Sequence, residues 1–232
     1  MLKFLFALVS YVVGLTSLAF YFWMIQFGMD QTSEAFTVSV LIRDLLLFTL
    51  FPLQHSILAR PKVKNIVANI FGTHLVRPVY VLTSGIVMWI VLYGWKNFGP
   101  FLYRFDSAIA FDGIFYVALA LIILSTMALE HSMMFGLKQG YFAWKNLPLP
   151  ESGLQTDGLY SIVRHPITSL FLVTLWSHHT LTAGRCVFNL LFSAYAIAGT
   201  WFEEKDLLNA FGKEYEAYKR RVPAFIPRLS KS

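Results

Sequence analysis

The chain has 232 residues, of which 56% are hydrophobic and only 14% charged, whereas soluble domains run at roughly 45–50% apolar and about 25% charged. This excludes an ordinary soluble domain and, at this length, predicts one membrane-embedded domain. The net charge of +6 is not a nucleic-acid footprint, because the basic residues flank apolar segments and so carry topology information; one cysteine, Cys186, excludes an internal disulfide and a cysteine-based metal site and reads as a packing residue.

Residues 4–27 form an apolar run long enough to span a bilayer. It is too long for a cleaved signal peptide and lacks the small-residue cleavage pattern, so a first spanning helix is expected. Asp30 and Glu34 follow in a short acidic loop. The second run, 36–59, contains Pro52 and the pair Arg43-Asp44. A charge at a helix centre costs about 2.5–3.5 kcal/mol on insertion scales. Sequence neighbours on a helix do not face each other, so the pair is expected to snorkel, pair with another helix or line a cavity, snorkelling first, rather than neutralise itself.

The segment 60–78 carries Arg60, Lys62, Lys64 and Arg77 with no acidic residue and reads as a cytoplasmic loop. A third span is expected over 79–95, with Trp89, Tyr93 and Trp95 as an aromatic belt toward its outer end. Lys96 and Arg104 balance Asp106 and Asp112 in an outer loop, and a fourth span over 113–135 carries Glu130-His131 near its exit at Gly136. The loop 136–165, with Lys138, Lys145 and Arg164, returns inside.

Two apolar stretches, 167–183 and 186–202, are joined by Ala183-Gly184-Arg185; at the low end of spanning length they read as a tight hairpin, tilted or partly re-entrant, with His178 and His179 near its far tip. From Phe202 the pattern turns amphipathic through Leu208, Phe211, Tyr215, Tyr218 and Val222, which puts one face against membrane or protein, with Lys213, Lys219, Arg220 and Arg221 suited to an inner-leaflet surface and Pro223 as the stop. The expected fold is an all-α polytopic membrane helical bundle of about six transmembrane helices. The last two form the hairpin, both termini are cytoplasmic, and a cytoplasmic amphipathic helix closes the chain. Within this single domain, 1–135 is a four-helix scaffold and 136–232 comprises a loop, the hairpin and the tail.

Two polar signatures bracket that hairpin: Leu154-Gln-Thr-Asp-Gly-Leu-Tyr-Ser-Ile-Val-Arg-His-Pro166 and Phe202-Glu-Glu-Lys-Asp-Leu207. Pro166 suits the first helical position, which sets Arg164 and His165 at the mouth of a helix whose unpaired N–H groups attract anions. Glu203 and Glu204 return to the same face, so the pair of signatures can hold a zwitterion. The expected topology also brings His55, Glu130 and His131 to that level, as the lining of a pocket open to the cytosol.

The run Thr156-x-Gly-Leu-Tyr160, Arg164-His-Pro166, Glu203-Glu204-x-Asp-Leu207, Phe211-Gly212-x-x-Tyr215-x-x-Tyr218 and Val222-Pro223-x-x-Ile-Pro227 resembles the C-terminal half of the integral-membrane methyltransferases, which include isoprenylcysteine carboxyl methyltransferase. Gln54-His-Ser56 and Phe135-Gly-Leu-Lys-Gln139 resemble a narrower branch, the methanethiol S-methyltransferase-like and NnrU proteins together with nurim. One departure stands out: such enzymes commonly carry a tyrosine two residues after the proline of Arg-His-Pro, where this chain has Thr168.

The resemblance implies S-adenosylmethionine as methyl donor, bound mainly by the C-terminal half, and a small thiol such as methanethiol as acceptor. It assigns the donor's carboxylate to Arg164, His165 and the helix mouth at Pro166, its ammonium or ribose to Glu203 or Glu204, and its adenine or sulfonium to Tyr160, Tyr215 or Tyr218. His55, Glu130 or His131 is expected to assist thiol deprotonation, and the sequence does not choose among them. The alternatives are a nurim-like or NnrU-like protein without catalysis and a carboxyl methyltransferase of a prenylated cysteine. Either the bacterial inner membrane or a eukaryotic nuclear or endoplasmic reticulum membrane suits such a chain. A zinc enzyme is disfavoured because the six histidines form no HExxH pattern.

Overall fold

The computed structural model describes residues 1–29, 34–150 and 153–228, so Asp30 of the expected acidic loop lies outside the described residues. In chain order the helices are α1 (Leu2–Trp23), α2 (Val38–Leu58), α3 (Pro61–Phe71), α4 (Val76–Gly94), α5 (Ile109–Ala128), α6 (His131–Met134), α7 (Leu137–Lys145), α8 (Pro166–Trp176), α9 (Ala183–Phe211) and α10 (Lys213–Arg221), with short strands at Phe101–Arg104 and Thr180–Thr182. The chain divides into two compact units that interleave in sequence. One is built from Met1–Leu102, Glu130–Glu151 and Thr182–Arg185, the other from Tyr103–Leu129, Ser152–Leu181 and Cys186–Ser232.

In the first unit α1 packs against α4 and α7, and α2 packs on α4. Glycine permits the closest of these approaches: a Cβ on Gly14 would lie 2.6 Å from Val81 Cγ1, and one on Gly140 2.2 Å from the Cβ of Ala7. Small residues at such crossings are how helices without a hydrophobic drive between them gain van der Waals contact. Phe20 stacks on Trp89 with ring centres 4.3 Å apart. Arg43 and Asp44 depart from the expected snorkelling: the guanidinium folds over onto its neighbour, with Nη2 2.8 Å from Asp44 Oδ1, and the Asp44 side chain is fully buried. Arg43 remains 38% exposed, the Lys96 amide also donates to Asp44 Oδ1 at 3.4 Å, and the buried Oδ2 has no hydrogen-bond partner among the described residues.

In the second unit α5 packs against α8. Asn189 Nδ2 of α9 donates to the carbonyl of Leu175 at 2.7 Å, and Trp176 Nε1 donates to Ser193 Oγ at 3.1 Å, which lays α8 along α9. Gly212 breaks the path between α9 and α10 at φ 51°. α10 then turns its apolar side inward, so that Tyr215, Tyr218 and Val222 pack with Leu154, Leu207 and Phe211. This amphipathic segment buries its face in protein rather than in a membrane surface.

The count of six spans is corrected to four. Among the described residues, the helices long and apolar enough to cross a bilayer are Leu2–Gly28, Val38–Leu58, Thr73–Gly94 and Ile109–Ala128. The expected fifth span stops after 11 residues at Trp176, because Ser177 leaves helical geometry and the chain turns into the strand at Thr180–Thr182. The expected sixth does not end at Phe202 but continues to Phe211 as a 29-residue helix carrying Glu203, Glu204, Lys205 and Asp206. Its charged end lowers its apolarity, and the expected hairpin link Ala183-Gly184-Arg185 is its first turn rather than a loop. The fourth helix ends at Ala128, not at 135, where Glu130 takes a left-handed conformation with φ 52°. The expected loop over 60–78 folds as α3 and a 3-10 turn, Thr73–Leu75. Four apolar helices of this length make the chain a multi-pass membrane protein.

Candidate functional site

The second unit builds its polar centre where α8 begins. Pro166 occupies the first turn of α8, where its missing N–H has no consequence. The amides of Ile167 and Thr168 come next and have no acceptor inside the helix; the first amide to close the helical ladder is that of Ser169, which donates to the carbonyl of His165 at 2.9 Å. The two residues ahead of the helix are held by the C-terminal segment. Arg164 N donates to Pro223 O at 2.8 Å, His165 N donates to Ala224 O at 3.1 Å, and Ser169 Oγ donates to Phe225 O at 2.9 Å.

Glu204 is the hub of the side chains. Arg164 donates to its Oε1 through Nε at 3.0 Å and also through Nη2. His165 Nε2 lies 3.2 Å from the same oxygen, and Lys219 Nζ lies 2.8 Å from Oε2. Nη1 of Arg164 donates to the carbonyls of Val222 at 2.5 Å and Lys219 at 3.3 Å. With five N–H groups on a guanidinium, these contacts leave one on Nη2. Burial pushes the Glu204 carboxyl up, but hydrogen bonds from Lys219, Arg164 and His165 outweigh it and hold the group at about 2. The carboxylate therefore stays ionised. Glu203, the preceding residue, is 59% exposed in its side chain and meets only the edge of His165, with Nδ1 to Oε2 at 3.6 Å.

A cavity of about 290 Å³ opens beside this hub. Its polar wall contains Arg164, His165 and Glu203 with the start of α8 from Pro166 to Thr168, and its other walls contain Leu129, Leu154, Leu207 and Phe211 together with Tyr160, Tyr215 and Tyr218. The tyrosines are structural as well as lining. Tyr218 OH donates to Tyr160 O at 2.6 Å. Burial pushes the Tyr215 and Tyr218 hydroxyls up to about 12, with the Glu204 charge adding to the effect at Tyr215. Burial, with the Glu203 charge, raises Tyr160 as well. All three remain neutral hydroxyls at ordinary pH.

Eight of the residues singled out in the sequence thus meet in the second unit: Tyr160, Arg164, His165, Pro166, Glu203, Tyr215 and Tyr218 line the cavity, and Glu204 braces Arg164 behind it. The other three lie in the first unit. His55 faces a separate cavity with Tyr80 and Ser84. Glu130 is 60% exposed and paired with Lys138 at 2.8 Å, and His131 packs edge-on against Tyr11 with ring centres 5.8 Å apart. Sequence reasoning missed Lys219, read as a surface residue, and the carbonyls of Val222 to Phe225. Its signal was weak: Lys219 lies one residue beyond Tyr218, on the edge of the apolar stripe. Among the described residues no group of histidine, cysteine or acidic side chains could hold a metal ion.

These features define a class, a multi-pass helical membrane protein with a small-molecule cavity walled by an ionic clamp and the opening of a helix. The chain belongs to the methanethiol S-methyltransferase family. It is 31% identical over 232 residues to methanethiol S-methyltransferase 2 of Bradyrhizobium diazoefficiens, covering 97% of this chain and 90% of that one. It is 32% identical to methanethiol S-methyltransferase of Pseudomonas deceptionensis, covering 83% and 74% of the two chains. Nurim of Danio rerio is 28% identical over 70% of this chain and 63% of its own. No family model and no solved structure matches the chain.

Proposed function

We propose that the chain is a membrane-embedded methyltransferase that uses S-adenosylmethionine to methylate the sulfur of a small thiol such as methanethiol. The observation that carries this reading is the cavity beside Arg164, His165 and Glu203, in a chain that shares 31% identity with a methanethiol S-methyltransferase over nearly its whole length.

The residues present fit the donor by their chemistry. Ile167 and Thr168 offer two amides and the positive end of a helix dipole to a carboxylate. Glu203, half exposed and unbraced, suits an ammonium or ribose hydroxyls, and Leu207, Phe211 and Tyr215 offer apolar and aromatic surface to a base. At about 290 Å³ the cavity lies at the lower edge of the roughly 300–1,000 Å³ of small-molecule sites. Arg164 does less than the resemblance implies: four of its N–H groups already point at Glu204 and backbone carbonyls, so its main work is positioning the mouth of α8.

When bound, the donor supplies an electrophilic methyl group on a sulfonium sulfur. The chain supplies a poorly solvated setting, and that favours a reaction in which a thiolate and a cation combine into neutral products. The basic stretch from Arg60 to Lys64 and the basic last turn of α10 each support a cytoplasmic position for the segment that carries it.

The test is binding of S-adenosylmethionine to purified protein in detergent, followed by methyl transfer to methanethiol or to a prenylated cysteine peptide. Saturable binding and formation of dimethyl sulfide are expected. Absence of binding would leave a nurim-like scaffold, and turnover of the peptide alone would move the assignment to a carboxyl methyltransferase.

A further inference from the structure

α3, in the first unit, lines neither cavity and carries a surface of its own. α2 is long and apolar enough to cross a bilayer and ends at Leu58; α3 begins at Pro61, and the next such segment begins at Thr73. α3 therefore joins two spans where they leave the hydrocarbon on one side, and both its ends are held at that level. Gly72, at φ 90°, turns the chain out of α3, and His74 Nε2, 2.9 Å from the carbonyl of Leu147, fixes the return. Pinned at both ends, the helix lies along the membrane boundary. No residue of α3 is buried. At about 100° per residue, Ile66, Ile70, Val63, Val67 and Phe71 follow one another across an arc of about 140°, with Asn65 and Asn69 on the opposite side. Val63 and Val67 are half-buried, while Ile66, Ile70 and Phe71 are 56, 67 and 48% exposed. Lys62 and Lys64 fall just outside the two ends of the arc, Arg60 precedes the helix, and no acidic residue lies between 60 and 78.

We propose that α3 is an interfacial helix that binds anionic lipid, its apolar arc among the upper acyl chains and Arg60, Lys62 and Lys64 against phosphate headgroups. The inference goes beyond the methyltransferase reading and does not depend on it. Three observations select this occupant. The helix starts where a span ends, which sets lipid beside it. The two lysines border the apolar arc at both edges, a placement that lets each alkyl stem lie along hydrocarbon while its ammonium reaches the headgroups. Charge of a single sign from Arg60 to Arg77 calls for anions, and an anionic bilayer surface offers them where a zwitterionic one has no net charge. A second copy of this chain is a poor complement, since it would bring the same cations to the same face. Because α3 joins α2 to α4, its seat on the surface sets the depth at which those two helices enter the bilayer.

The experiment uses the full chain in nanodiscs of phosphatidylcholine, with or without phosphatidylglycerol. Spin labels placed by Ile70→Cys and by Asn65→Cys, each with Cys186→Ser, report collisions with oxygen, which concentrates in hydrocarbon, and with a water-soluble nickel chelate. In anionic discs the label at position 70 is expected to meet oxygen and be shielded from nickel, and the label at position 65 to meet nickel. Omitting phosphatidylglycerol, or adding Lys62→Gln with Lys64→Gln, should raise nickel access at position 70. Nickel access at both positions in anionic discs would place the helix in water, and shielding of position 70 from both reagents would mean that protein covers it; either overturns the proposal. Shielding that ignores lipid charge would overturn the choice of anionic lipid. Native mass spectrometry of the chain with its cysteine in place decides even if the Cys186→Ser background does not fold. Offered both lipids equally, the protein is expected to retain phosphatidylglycerol over phosphatidylcholine, and removing the two lysines should lower that preference about fivefold for each. Equal retention, or a preference untouched by the two substitutions, would overturn the proposal.

Discussion

Glu203 and Glu204 are neighbours in sequence with opposite surroundings. The Glu204 side chain is 13% exposed and gathers Arg164, His165 and Lys219, while that of Glu203 is 59% exposed and lines the cavity. One carboxylate holds the second unit together and the other faces the cavity, so the same substitution at the two positions tests stability and binding separately.

Glu204→Gln is expected to destabilise the protein by about 3–5 kcal/mol, the range for removing one partner of a buried ion pair, because the nearly buried Arg164 loses its anion. Thermal unfolding in detergent checks this. Release of the segment after Val222 should accompany it as earlier cleavage by a protease, since Arg164 also fastens that segment.

Glu203→Gln should leave the melting temperature close to that of the parent, as surface changes usually stay within about 0.5 kcal/mol. Affinity for S-adenosylmethionine should fall by roughly tenfold or more, since a hydrogen bond to a charged group contributes about 1.5–3 kcal/mol. Calorimetric titration measures both halves of the contrast. Equal affinity would remove Glu203 from the binding residues.

Gly212→Ala tests the break between α9 and α10. At φ 51° and ψ −122° this position is open to glycine and strained for alanine, at a cost on the order of 1–3 kcal/mol. A methyl group there meets no neighbour within 4 Å, so any loss of stability is conformational. The same variant should loosen the Lys219–Glu204 contact and reduce donor binding.

The pH dependence has two edges. The Glu204 carboxyl is lowered from its ordinary value of 4.5 to about 2, so its contribution is complete above 4.5 and is lost as pH falls through 2. Tyr215 and Tyr218 are raised from 10.0 to about 12, so their contribution is complete below 10.0 and is lost as pH rises through 12. Melting curves across the range should show both declines, and Tyr218→Phe should shift the alkaline one.

The motifs around α8 and α9 were legible because their chemistry is local: a proline that opens a helix, a guanidinium before it, paired acids forty residues on. The spans were legible only where apolarity was unbroken. α8 and α9 misled because the apolar run from Ile167 onward contains no glycine or proline near Trp176 to mark where the helix stops. The polar residues from Ser177 to Thr180 are tolerated there by a local contact between His178 and Thr180 and by a bond that only tertiary structure provides, Tyr103 OH to His178 O at 3.1 Å. Tyr80 and Ser84 escaped notice for a related reason. Both lie on α4 and are joined only where α2 brings His55 against them.

The brevity of α8 has a physical corollary. Eleven residues rise about 16 Å, roughly half the thickness of a hydrocarbon core. Arg164 and His165 at one end and His178 and His179 at the other are therefore too close together for lipid tails of full length to separate them. Set across a bilayer, a helix of that length would require the hydrocarbon to thin or water to enter beside it. In that it differs from the four long apolar helices, each of 20 residues or more, which are long enough to cross a full hydrocarbon core.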